Sequence, residues 1–429
     1  MKKYSIFERQ LANFLEKFPQ VKQIVKITYQ RINYWCFGDR NFTRALHPRV
    51  KILTPFQWAN IEPKSQELFF GYYDKSPWSS DMCRMVFHRF RDDHQLDIMV
   101  FDRDLKKASV VGTTKTWSSQ QGSMAQWLPS GNRDKLIFND LVGDKFGARI
   151  LLLEEKAETT IPFPIQTLHP NGREALSLNY KRLERMRPEY GYSIAADNFS
   201  SDLALSEDGI WHIDLESGQS QLILSLATLI AYKPCSEMTD SKHKVNHIMY
   251  SPQGSKYVFM HRWISSNGKF SRLYVANNNN NDSLKLLLDD RMVSHYYWHD
   301  EEHLLVWART NKAGDHYYLI NVISGERQII GEEVLDAYGD GHPSFSPDRR
   351  WILTDSYPDK ARQQHLQLYD LKTGKIIEIG RFFAPWQFYG SKRCDLHPRW
   401  SPDGKLISID STHEGKRMTY ILDVSSLVN

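Results

Sequence analysis

Cysteine is scarce: Cys36, Cys83, Cys235 and Cys394 are the only four in 429 residues, and none of their spacings suits a small disulfide framework. A chain of this length needs no such staples, so free thiols are expected. Long apolar runs are also missing. The best stretch, 222–230, is too short to span a membrane and contains Ser225 and Thr228. The chain opens with Lys2 and Lys3 as an export signal would, but Glu8 and Arg9 interrupt it before any sustained apolar segment, which points to a cytoplasmic location. There is no large excess of one charge sign. The net charge of +4 discounts nucleic acid as a partner.

Aromatic side chains are plentiful, at 13% beside 25% charged residues, a balance that suits many short strands better than helical bundles or disorder. The first forty residues differ from the rest. Leu11, Phe14, Leu15 and Phe18, then Val21, Val25, Ile32 and Trp35, follow helical spacing, with a break at Pro19. The other face carries Lys17, Lys22, Lys26 and Arg31. Residues 1–45 are therefore read as an amphipathic helical arm, with two readings open: packing against its own domain or a protein partner, or peripheral contact with an anionic membrane.

From residue 46 to 429 one pattern recurs: His, two residues, an aromatic, then Ser-Pro and a turn. It runs His247-Ile-Met-Tyr250-Ser-Pro, His342-Pro-Ser-Phe345-Ser-Pro and His397-Pro-Arg-Trp400-Ser-Pro, with His295-Tyr-Tyr-Trp298 as a copy that lacks Ser-Pro. Successive histidines stand 48, 47 and 55 residues apart, the size of a four-stranded propeller blade. Lys75-Ser-Pro-Trp78 and Met124-Ala-Gln-Trp127 keep the frame 49 residues apart, and the 123-residue gap from Met124 to His247 leaves room for one more blade with an insertion near 177–192. The fold predicted is an all-β, seven-bladed β-propeller behind a helical arm. Turns at Asp214-Leu-Glu-Ser-Gly218, Asn321-Val-Ile-Ser-Gly325 and Asp370-Leu-Lys-Thr-Gly374 each close a third strand. The last repeat runs out after its third strand, so its outer strand is expected from the start of the domain, over 50–54. A propeller-bearing hydrolase is excluded, since no Gly-x-Ser-x-Gly elbow occurs and no length remains for its second domain.

Residues at one repeat position line the central channel, so His247, His295, His342 and His397 are expected around one axis. Imidazole is a common zinc and manganese ligand; Cys394 lies within reach, and Asp340 and Asp395 offer oxygens. The alternative is a repeat feature that hydrogen-bonds a neighbouring blade. In the insertion, Arg182, Arg185 and Arg187 suit a carboxylate, and Tyr180, Tyr190 or Tyr192 a proton transfer; equally, the segment reads as a short helix with a solvated charged face. Lys75, Gln126 and Asn139 are candidates to contact an acidic ligand or, for the two amides, to cap turns.

In HPSFSPD and HPRWSPDG the chain resembles the propeller-type polysaccharide lyases, above all the oligogalacturonate lyases and more distantly the ulvan lyases, with a general likeness to TolB-like repeats. The resemblance covers about residues 60–427. It implies a channel metal held by His342 and His397, with Cys394 at a glutamine position and His295 as the catalytic base. Two departures stand out: Cys394 replaces that glutamine, and Arg399 replaces a further histidine ligand. Comparison with ulvan lyases draws in Tyr180 and Arg187 on earlier blades. The activity implied is β-elimination next to a uronic acid in an acidic polysaccharide or oligosaccharide, assisted by zinc or manganese. The competing reading is a non-catalytic propeller that binds a glycan or protein during cell-surface polysaccharide assembly, attached through the arm.

Overall fold

The computed structural model describes residues 19–62, 66–92, 94–129, 135–194, 205–278 and 280–428, and the side chains of 19–24, 26 and 280–282 are left aside. The helical positions expected between 7 and 18 lie outside the described residues. Seven antiparallel sheets of four or five strands form a seven-bladed β-propeller. Blade one runs from Leu68–Phe69 to Lys107–Thr114, blade two from Gln126–Trp127 to Ala157–Ile161, and blade three from Thr167–Leu168 to Ser220–Ser225. Blade four spans Lys242–Tyr250 to Asn280–Leu288, and blade five Val293–Trp298 to Arg327–Ile330. Blade six begins at Ser344–Phe345 and blade seven at Arg399–Trp400.

The repeat has a physical basis in the blades that keep its Ser-Pro. Its serine hydroxyl accepts the backbone N–H five residues on, tying the first turn shut: Ser251 from Lys256 (3.0 Å), Ser346 from Trp351 (2.9 Å) and Ser401 from Leu406 (2.9 Å). The repeat's aromatic ring fills the seam between blades. Trp127 Nε1 donates to Pro77 O at 2.8 Å, joining blade two to blade one. The turn marker works as its composition suggests. Asp214 and Asn321 accept backbone N–H groups inside the turn, from Ser217 (2.6 Å) and Ser324 (2.8 Å), and Gly218 and Gly325 supply the positive φ of 70° and 83° that closes it.

Closure follows the expected route and adds to it. Lys51–Leu53 pairs with Met418–Asp423 as the outer strand of blade seven, inside the 50–54 window. Arg44–Leu46, which the sequence did not announce, pairs with Ile376–Phe383 as a fifth strand of blade six, so the boundary expected at 45/46 falls within a strand. The helix Pro19–Phe37 precedes it. The insertion in blade three folds into the helix Tyr180–Met186, capped by the Asn179 side chain, and lies between the second and third strands.

Candidate active site

Inner strands run from one mouth of the channel to the other, and the repeat histidines sit where those strands are irregular. Pairing slips between Asn246 and Met249 in blade four, and between Val293 and Tyr296 in blade five, which puts His247 and His295 at bulges that re-aim a side chain. His247 and His397 adopt left-handed backbone, with φ of 52° and 44°, as does Met124 at the same repeat position in blade two.

Three of the four imidazoles converge. Ring centroids are 4.2 Å apart for His295 and His342 and 4.4 Å for His342 and His397. Each Nδ1 faces an obligate acceptor: Asp340 Oδ1 for His295 (2.9 Å), Asp355 Oδ1 for His342 (2.8 Å) and Gly71 O for His397 (2.8 Å). An acceptor there demands a protonated Nδ1 on a neutral ring and leaves Nε2 as the lone-pair nitrogen. Nε2 of His342 and of His397 and Oδ1 of Asp395 are buried without a hydrogen-bond partner.

Ligand atoms of His342, Asp395 and His397 lie within 4.8 Å of one another. Two imidazole nitrogens and a carboxylate, each histidine fixed from behind by a carbonyl or carboxylate, are donor types and supporting contacts that suit a divalent transition metal. The residues therefore fit zinc or manganese. Cys394, expected among the ligands, is not in this group, which includes its neighbour Asp395 instead. His247 is also outside the group. Its Nε2 is 3.4 Å from Asp74 Oδ2 and its ring stacks on Tyr296 at 4.4 Å.

Electrostatics separate the histidines. Burial, and then the charge of His342 against the opposing pull of Asp340, takes His295 down to about 4, so it is a neutral acceptor at ordinary pH. Burial also holds His397 well below the ordinary value, with His342 and Arg399 adding to it. For His342 burial pulls the same way but Asp355 overrides it, and the net shift is upward. Tyr357 packs near both His295 and His342, at 6.4 and 5.9 Å between ring centroids. Burial, reinforced by Asp340 and Asp395, raises its phenol well above 10.

Cations collect at the same mouth. Arg393 pairs with Asp395 at 2.8 Å, and its guanidinium lies 5.5 Å from the Tyr357 ring centre. Arg187 sits over Tyr190 at 4.5 Å and contacts Glu189. Lys244, three residues before His247, is 4% exposed, and burial with the nearby Arg262 and Arg187 brings its amine down to about 6. The other expected residues are placed elsewhere. Tyr180 stacks on Tyr192 at 4.2 Å, with its hydroxyl 2.7 Å from Ile165 O; Asn139 donates to Ile165 O and to the Tyr192 hydroxyl; Arg182 pairs with Asp208; Arg185 is exposed. Lys75, bonded to Asp74 at 2.5 Å, and Gln126 line a cavity of about 530 Å³ with Tyr250 and Trp298, at the opposite ends of the inner strands from Lys244 and His295.

Some contributors carry no motif of their own. Asp355 accepts from the His342 backbone N–H with Oδ1 (2.8 Å) and from the His397 backbone N–H with Oδ2 (3.2 Å), joining the two histidine segments. Asp410 occupies the same place in blade seven, where it holds Arg399 (2.7 Å) and the backbone N–H groups of Phe70 and Gly71. An acid thirteen residues after the repeat histidine, in two successive blades, was the signal available. Arg399 also donates to Gly71 O, the carbonyl that accepts from His397 Nδ1, so it braces the backbone that orients this imidazole.

No family model matches the chain, and no curated protein matches it. Among solved structures, an oligogalacturonate lyase in complex with manganese aligns with a TM-score of 0.61 and 13% identity over 89% of this chain and 96% of that one. The oligogalacturonate lyase of Vibrio parahaemolyticus aligns at 0.59 and 12% over 90% and 96%. TolB from Acinetobacter baumannii aligns at 0.37 and 12% over 74% and 62%. At these identities the likeness to the two oligogalacturonate lyases establishes a shared fold.

Proposed function

We propose that the protein is a lyase that cleaves an acidic oligosaccharide or polysaccharide next to a uronic acid by β-elimination. The observation that carries this reading is the unpartnered Nε2 pair of His342 and His397 beside Asp395, next to a neutral His295 whose Nδ1 is held by Asp340. His342, His397 and Asp395 would hold zinc or manganese. Such an ion, when bound, neutralises the substrate carboxylate and the enolate-like charge that grows as the C5 proton leaves.

His295 is the base: its Nε2 takes the C5 proton, the pair from the C–H bond forms the C4=C5 double bond, and the C4–O bond breaks. Asp340 stabilises the imidazolium that results. Tyr357, kept protonated, donates to the departing oxygen. Arg187 and Arg393 favour an anionic ligand at the mouth, and the mid-channel packing of Tyr72 and Tyr73 against the histidines limits water behind it.

The test is metal content by mass spectrometry together with ultraviolet detection of unsaturated products from a panel of uronate polymers. A near-stoichiometric ion lost in a His342→Ala, His397→Ala double variant, with product formation lost alongside, supports the lyase. A loaded protein that binds these glycans without making unsaturated ends would replace it with the binding-propeller reading. A protein that stays metal-free after incubation with manganese and zinc would remove the metal-assisted mechanism.

A further inference from the structure

A surface helix ordinarily buries its apolar stripe and exposes its polar one. The helix Pro19–Phe37 does the reverse. Towards the propeller it turns Asn33, the one buried residue among its described side chains, and Tyr34, which packs on Phe383 (5.7 Å) and Trp386 (5.9 Å) at the rim of blade six. Away from the propeller it turns Val25, Ile32 and Trp35. These positions are seven and three residues apart, so they share one stripe. Among its described side chains Trp35 is 76% exposed, Ile32 56% and Val25 38%, with Phe37 at its end 43% exposed.

Charge supplies an independent observation. The first forty residues hold eight Lys and Arg against three Asp and Glu, while the chain as a whole has an excess of four, so everything beyond residue 40 is acidic by one. Arg31, exposed, borders the apolar stripe. An aliphatic and tryptophan stripe within a strongly basic stretch, in a chain whose remainder is near neutral overall, complements a surface with anionic headgroups above an acyl boundary. A second copy of the chain would bring the same basic stretch against itself.

We propose that this helix docks the propeller on an anionic membrane surface, with Val25, Ile32 and Trp35 facing the lipid. The contact is independent of the lyase reading. Its geometry bears on access, because the chain leads from Phe383 and Trp386 directly to Arg393 and Asp395; docking would bring the histidine-bearing mouth of the channel close to the membrane.

The experiment is co-sedimentation of the full chain with phosphatidylcholine vesicles that contain or lack about 30% phosphatidylglycerol. Binding at least tenfold stronger to the anionic vesicles is expected, falling as salt is raised. Ile32→Glu with Trp35→Glu, both on the open face, should lower it at least tenfold at an unchanged thermal midpoint, and Arg31→Glu should lower it several-fold. Failure of the wild-type chain to sediment with anionic vesicles would overturn the proposal, as would sedimentation unaffected by the double substitution. A wild-type dimer in light scattering that the double substitution abolishes, without vesicle binding, would also overturn it and identify a second copy as the occupant.

Discussion

Replacing Asp355 with asparagine separates the candidate metal site's two supports from its ligands. One carboxylate oxygen receives both the backbone N–H and Nδ1–H of His342, and the other receives the backbone N–H of His397, all in a setting where Asp355 is 1% exposed. An amide offers one oxygen in place of two. Whichever way it turns, its NH2 meets an N–H donor, and a buried donor left without an acceptor costs about 1–3 kcal/mol. The same change removes the charge that fixes the His342 tautomer, and loss of such a partner lowers metal affinity roughly 10–100-fold, or about 1.4–2.7 kcal/mol. Calorimetric titration of manganese into wild-type and Asp355→Asn protein reads the second effect, and thermal melts in chelator read the first. A variant that binds manganese within about threefold of wild type would refute the reasoning, whatever its melting point, because Asp355 would then be structural and not a support of the ligands.

His295→Gln should retain the metal yet lose about 10²–10⁴-fold in turnover if His295 is the base; loss of metal as well, seen by mass spectrometry, would assign it a ligand role instead. In metal-free protein the raised value of His342 makes a stabilising contribution that is complete below the unfolded value and lost as pH rises through the folded one. Manganese needs the neutral ring, so its affinity should run the other way, weakening as buffers go from mildly alkaline to mildly acidic; calorimetry across that range checks both signs. Arg399→Met should destabilise by about 3–5 kcal/mol in urea melts, since it strands the buried Asp410 carboxylate and frees Gly71 O. A change under about 1 kcal/mol would mean that Asp410 keeps enough donors from Phe70, Gly71 and Thr419.

The propeller was legible because each blade repeats the same local solution. The serine that ties Ser251 to Lys256 and the Asx turn at Asp214 act over five residues or fewer, so their signature survives in sequence. Blade count and the closing strand followed from spacing alone. The convergence of His295, His342 and His397 was foreseeable from their common register, but the acceptors that set their tautomers were not. Gly71 O reaches His397 from the other end of the chain, and Tyr72 and Tyr73 enter the channel from blade one with no repeat position of their own. Cys394 and Asp395 lie just before the strand Arg399–Trp400, outside any strand alternation, so the sequence did not show which of the two neighbours faces His342 and His397. The arm's helical period was readable; which of its faces meets the propeller was not.

Closure by Lys51–Leu53 also dictates when the ring exists. The strand that completes blade seven is made before any other strand of that blade, and its partner Met418–Asp423 is the last strand of the ring. Bringing such distant segments together costs about 4 kcal/mol more in chain entropy than closing a hairpin, and the contacts that offset it form only after the last strand of the ring has been made. Until then the nascent chain is an open arc with unpaired edges at both ends. Shortening the chain from its amino terminus should therefore cost blade six its fifth strand at Arg44 and open the circle only when it reaches Lys51.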